Sequence, residues 1–272
     1  MPGRLMAIRR SGFKLLILGA VMAAATPCCA GAEYIAIPSG SLTSVLANDA
    51  ATGPALIAGF AMRTTPVTTG EYLAFVKSHR EWQRGETPSS FADGTYLHTW
   101  RSALALGNLM DVHQPVTNVS WFAAEAFCES EGSGARLPTW LEWEYVAAAD
   151  EKVFDARSNP AWRARILAWY SQSSGKPLPA VGGEANAYGV RNVHGLVWEW
   201  VDDFNALLVS ADSRNQGDPD KLQFCGAGAI SLKDRDNYAV LMRIALLSSL
   251  GATSTTNSLG FRCVRPLSQE KK

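Results

Sequence analysis

The sequence has no excess of charge of either sign: 25 Lys and Arg stand against 25 Asp and Glu. A neutral chain lacks the basic field that draws a protein to nucleic acid, which argues against nucleic acid as a partner. Histidine is scarce as well, with four residues, no HExxH and no paired-His metal spacing. His79, His98 and His113 fall in an aperiodic stretch, His79 to Gln114, whose Trp, Arg, Gly, Ser and Pro residues read as one long loop with surface or packing histidines. Cysteine is limited to five, two of them at Cys28 and Cys29. Internal repeats, low-complexity tracts and a linker long enough to separate two domains are all missing. Only one long apolar run occurs, at the start, and it falls short of the roughly 20 residues that span a bilayer.

That run has the order of a secretory leader. Arg4, Arg9, Arg10 and Lys14 form a basic segment, Leu15 to Ala25 an apolar one, and the small residues of CCA or AGA follow, so cleavage near Ala30 or Ala32 is expected. Residues 1–30 are therefore read as a signal peptide and the mature chain as periplasmic or secreted, with no membrane association after cleavage. Arg9-Arg10 with Phe13 and Lys14 leaves the twin-arginine route open beside ordinary export. Cleavage removes four basic residues and no acidic ones, leaving 21 basic against 25 acidic. About 240 residues with this apolar content suffice for one large domain with a substantial core.

Local patterns place several elements. Tyr34 to Pro38 and Ile57 to Met62 alternate as strands, with loop between them. Thr68 and Glu71 have capping-box spacing ahead of Tyr72, Phe75 and Val76, an apolar stripe at i, i+3 and i+4. Ser120 caps a helix to about Glu131 that carries Trp121, Ala124, Phe127 and Cys128 on one side. Thr139 and Glu142 repeat the capping box before Trp143, Val146 and Ala147, in a helix ending near Asp150. Glu142 and Glu144, two apart, lie on different helix faces, so neither is assigned to acid–base chemistry.

The most informative stretch is NAYGVRNVHGLVWEW, Asn186 to Trp200. Asn186 and Gly189 mark a turn, and Val190, Val193, Val197, Trp198 and Trp200 supply the bulk of a buried strand. In extended form, Asn192, Gly195, Val197 and Glu199 would also offer side-chain and carbonyl oxygens to a hard cation such as Ca²⁺. A turn followed by an aromatic core strand accounts for the same residues without a metal.

Four ordered blocks give this chain a resemblance. NAYGVRNVHGLVWEW resembles the core signature of the formylglycine-generating enzyme (sulfatase-modifying factor) superfamily. PVTNVSWFAAEAFC, RLPTWLEWEYVAAA and the closing LGFRCV are similar to three further blocks of that family, and Thr65 to Phe75 is a weaker echo. The resemblance covers about Tyr34 to Arg265 and places one domain at 34–266. It implies an α+β class: a distantly C-type-lectin-like fold with little regular structure, short strands, capped helices and aromatic packing. It also implies a disulfide between Cys128 and Cys263, and one calcium ion held by the side chains of Asn192 and Glu199 and the carbonyls of Gly195 and Val197. The family's other calcium site finds Trp169 and Tyr170 where an Asn is expected.

The family's copper chemistry is where this sequence departs. Formylglycine generation holds Cu(I) between two nearby thiolates, in keeping with the preference of a soft ion for sulfur. With Cys128 and Cys263 bridged, Cys225 is the one thiol left, so copper is not expected. Leu247 stands nearest the place of a family arginine, and Arg243 remains. The segment Ser231 to Leu250 puts Lys233, Asp234, Arg235, Asp236, Asn237 and Tyr238 ahead of an apolar strand, either as a remodelled site or as a solvated turn. Together with the leader, this form resembles the accessory branch found with copper nitrite reductases.

Three functions follow from the resemblance. The first is a periplasmic accessory or maturation protein with a protein or peptide partner. The second is an oxidase acting on a protein or peptide substrate, with Cys225, Arg243, His194, Asp234 and Tyr238 as candidate catalytic residues. The third is a calcium-stabilised ligand-binding module.

Overall fold

The structure is a computed structural model and describes residues 1, 32–45, 53–170, 177–207 and 238–267. The chain divides into two units, Met1–Gly31 and Ala32–Lys272. All described residues but Met1 belong to the second, and the expected leader lies outside the described residues. No helix among the described residues is long and apolar enough to cross a membrane.

Short strands and capped helices surround one aromatic core, so the class is α+β. Strands β1 (Tyr34–Ile37), β4 (Phe60–Arg63) and β7 (Val264–Pro266) form an antiparallel sheet with β4 in the middle. Its register pairs Ile35 with Met62 and Ala61 with Arg265. The expected single strand from Ile57 to Met62 is two strands. β3 (Ala55–Ile57) pairs with β2 (Gly40–Leu42) in a separate ribbon, and the chain then turns into β4. The loop expected between the first two strands therefore contains β2.

Helices α1 (Thr69–Ser78), α2 (Trp121–Ser130) and α3 (Trp140–Ala147) start where the sequence places caps. Thr68 and Thr139 each accept a hydrogen bond from the backbone N–H three residues on, and Glu71 and Glu142 reciprocate, which satisfies orphan donors of the first turn. α1 buries Tyr72, Phe75 and Val76; α3 buries Trp143, Val146 and Ala147. α4 (Pro160–Tyr170) is a helix that the sequence reading left unassigned. Asn159 Oδ1 accepts from the N–H groups of Ala161 (3.0 Å) and Trp162 (3.4 Å), and Pro160 occupies the first helical position, where its missing N–H costs nothing.

The segment expected as an apolar strand after Tyr238 is helix α5 (Tyr238–Ser248). Val240, Ile244 and Leu247 are buried at i, i+4 and i+7, the period of a helix face rather than of a strand. The core gathers Trp100, Trp140, Trp143 and Trp200 with Tyr72, Phe127 and Phe261, and a smaller cluster of Ala156, Trp162 and Ile166 lies under α4.

Candidate functional site

The stretch from Asn186 to Trp200 is mostly loop, with a strand only at β5 (Trp198–Glu199), which runs parallel to β6 (Leu259–Gly260). The expected buried strand is this short because its neighbour is short. The ladder consists of Trp198 N–H to the Ser258 carbonyl (2.8 Å) and Trp200 N–H to the Gly260 carbonyl (2.9 Å). Side chains shape the rest. Asn186 Oδ1 accepts from the N–H groups of Tyr188 and Val190, and its amide donates to the Val146 carbonyl. Gly260 has to be glycine, since a Cβ there would sit 2.6 Å from the Val116 carbonyl oxygen.

At the centre of this stretch Glu199 is fully buried and faces Arg262, also fully buried. Both carboxylate oxygens accept from the guanidinium, at 2.9 and 3.0 Å from Nε and 2.7 Å from Nη2, and the indole N–H of Trp143 donates to Oε2 at 2.9 Å. Arg262 also donates to the carbonyls of Arg63 and Arg191. Arg243 enters from α5, donates to the Glu199 carbonyl and lies over the Trp143 ring, 3.6 Å from its centroid. Its Nε is buried without a partner, and burial lowers its pKa to about 10. Around Glu199 one carboxylate thus stands with two guanidinium groups.

Of the expected calcium set, Asn192 (φ +55°) turns its Oδ1 to the Gly182 N–H at 2.7 Å, and Gly195 (φ +92°) is exposed. Glu199, its only charged member, is neutralised by Arg262. Among the described residues no group of three or more His, Cys, Asp or Glu is placed to hold a metal ion. The residues as placed therefore do not fit a resident Ca²⁺, because a guanidinium already takes both oxygens of its one carboxylate.

The remaining expected site residues are dispersed. Cys128 and Cys263 form a disulfide across 135 positions of sequence. Cys225 and Asp234 lie outside the described residues, and Tyr238 opens α5. Glu142 caps α3, whereas Glu144 is buried and accepts from the Ser44 hydroxyl, the Val45 N–H and the Trp140 indole N–H, which ties β2 to α3.

His194 is half-buried, with its ring edge-on to Trp143 and Trp162, each 5.6 Å between centroids. Its Nε2 is 2.9 Å from the Ala147 carbonyl, which can only accept, so the proton sits on Nε2. Nδ1 is then a bare acceptor, buried without a partner. Burial and the nearby Arg243 lower the pKa of His194 to about 4, so the imidazole is neutral at pH 7. His194 lines a cleft of about 360 Å³ between α4 and the 184–195 loop, walled also by Trp162, Arg165, Trp169, Glu184 and Asn192. The sequence reading found His194 and passed over the cleft, since α4, which supplies Trp162, Arg165 and Trp169, was unassigned.

The model of the family described as "Sulfatase-modifying factor enzyme 1-like domain" matches residues 21–267. The chain belongs to this family. The hercynine oxygenase of Mycobacterium tuberculosis is 30% identical over 161 residues, which cover 53% of this chain and 37% of that one. The formylglycine-generating enzyme of Streptomyces coelicolor is 31% identical over 170 residues, 56% of this chain and 52% of that one. The inactive C-alpha-formylglycine-generating enzyme 2 of Bos taurus is 29% identical over 164 residues, 55% of this chain and 49% of that one. The chain thus spans about half or less of these curated relatives.

Proposed function

We propose that this sulfatase-modifying-factor-like protein is a periplasmic accessory or maturation protein that binds a protein or peptide client and performs no two-thiolate copper oxidation. One observation carries this reading. The Cys128–Cys263 bridge takes two of the three cysteines that follow the leader, so Cys225 alone is left to bind a soft metal. Cu(I) needs at least a second soft donor, and one thiolate does not supply it. A relative named as inactive supports the same direction. The resemblance to the accessory branch makes a copper nitrite reductase, or another exported redox enzyme, the client to test first.

The decisive assay incubates the purified mature protein with a C-x-P-x-R peptide, Cu(I) and oxygen, and reads the peptide by mass spectrometry. No aldehyde product is expected. Formation of the aldehyde, lost on Cys225→Ser, would overturn the reading and favour the second one, an active oxidase, for which the relatives named hercynine oxygenase and formylglycine-generating enzyme speak.

A further inference from the structure

We propose that the cleft between α4 and the 184–195 loop binds a guanidinium or ammonium group, such as an Arg or Lys side chain of a client polypeptide. This deepens the client-binding reading above. Three carboxylates stand in the cleft lining, Asp150, Glu151 and Glu184, against one cation, Arg165. Arg165 is already held by Glu151, at 2.7 and 3.0 Å. Asp150 accepts from the backbone N–H groups of Lys152 and Val153 and keeps its charge, while Glu184 is exposed and makes no ion pair with a described residue. His194 is neutral at pH 7 and adds no positive charge to the lining.

The apolar walls are the indoles of Trp162 and Trp169; Trp169 is half-buried, packed on Tyr170 and Trp198. An aromatic face next to carboxylates attracts an organic cation twice over, through the ring quadrupole and through charge. An anionic guest meets the net negative lining, and an apolar one strips water from carboxylates without giving them a partner. A divalent metal is disfavoured by placement, since these carboxylates do not form a metal-holding group.

The test is calorimetric titration of the intact mature protein with N-acetyl-arginine amide, its neutral glutamine counterpart, calcium chloride, and a short peptide carrying one Arg. The arginine compound is expected to bind with an affinity that falls at high salt, the glutamine compound not to bind, and the peptide to bind more tightly than the amide. Glu184→Gln and Trp169→Ala should each weaken binding about two- to fivefold, the size of a partly exposed ion pair or cation–π contact, with an unchanged melting temperature for Glu184→Gln, whose side chain is exposed. Equal binding of the glutamine compound, affinity unchanged in both variants, or displacement of the arginine compound by calcium would overturn the proposal. Equal affinity for amide and peptide would overturn its polypeptide half. Because the readout is binding alone, a positive peptide-oxidation assay would sink the accessory reading and leave this one intact.

Discussion

Replacing Glu199 by Gln removes one charge and keeps the shape, which isolates what the buried ion pair contributes. In the wild type both carboxylate oxygens accept from Arg262, and neither residue is exposed. In Glu199→Gln the Trp143 indole still has an acceptor, but Arg262 keeps its charge in the interior beside Arg243, which already lacks a carboxylate partner among the described residues. Breaking a buried pair from one side costs about 3 to 5 kcal/mol, because an uncompensated charge is left behind. For a domain of this size each kcal/mol moves the melting temperature by about 2 to 4 °C, so a drop of roughly 10 °C is expected. Circular dichroism melts and urea midpoints would measure it. The double variant Glu199→Gln/Arg262→Met removes both charges and should lose much less than the sum of the single changes, with a coupling of about 2 kcal/mol. A single variant that melts within two or so degrees of the wild type, or a coupling near zero, would refute the account. Chelation with EGTA serves as the control: it is expected to leave the wild-type melting temperature unchanged. A fall in the wild type that is absent in Glu199→Ala would instead assign Glu199 to calcium.

Three further outcomes are expected. Cys128→Ser/Cys263→Ser opens a loop of 135 residues and should cost about 4 to 5 kcal/mol by loop entropy, measurable as a lower urea midpoint. Denatured, unreduced mature protein should take up one alkylating group, at Cys225, in peptide mapping; label at Cys128 or Cys263 would contradict the bridge. His194 has a folded pKa of about 4, below its ordinary value of 6.5, so the unfolded chain binds the proton first and stability is lost as pH falls from about 6.5 to 4. His194→Gln keeps a donor for the Ala147 carbonyl and should lack this component of the loss, whereas identical pH profiles of stability would contradict a neutral imidazole donating to Ala147.

What the sequence makes legible here is local. Thr68, Ser120 and Thr139 cap α1, α2 and α3 because a cap and its stripe are read within a few residues of each other. Asn159-Pro160 is a start signal of the same kind, but the helix behind it has no clear stripe to read, since only Trp162 and Ile166 are buried. α5 is a helix where a strand is expected, because its run of apolar residues fits either period and only packing chooses between them. The partnership of Glu199 with Arg262 links residues 63 positions apart and lay beyond any spacing rule. Within the short motif a metal is the one cation that Glu199 can be matched with.

β7 and the residues just before it fasten distant parts of this domain to one another. Val264 and Pro266 complete the sheet on β4, Cys263 closes the bridge to Cys128, and Arg262 neutralises Glu199. Three separate interactions thus wait for one stretch of five residues, 262–266, whose partners lie between residues 60 and 199. A chain that ends short of this stretch has an open edge on β4, a free Cys128 thiol and a Glu199 carboxylate without its cation, so three unlike interactions are lost together. A chain stopped before Arg262 lacks all three, and it is expected to be cleaved by a trace of protease under conditions in which the full chain resists.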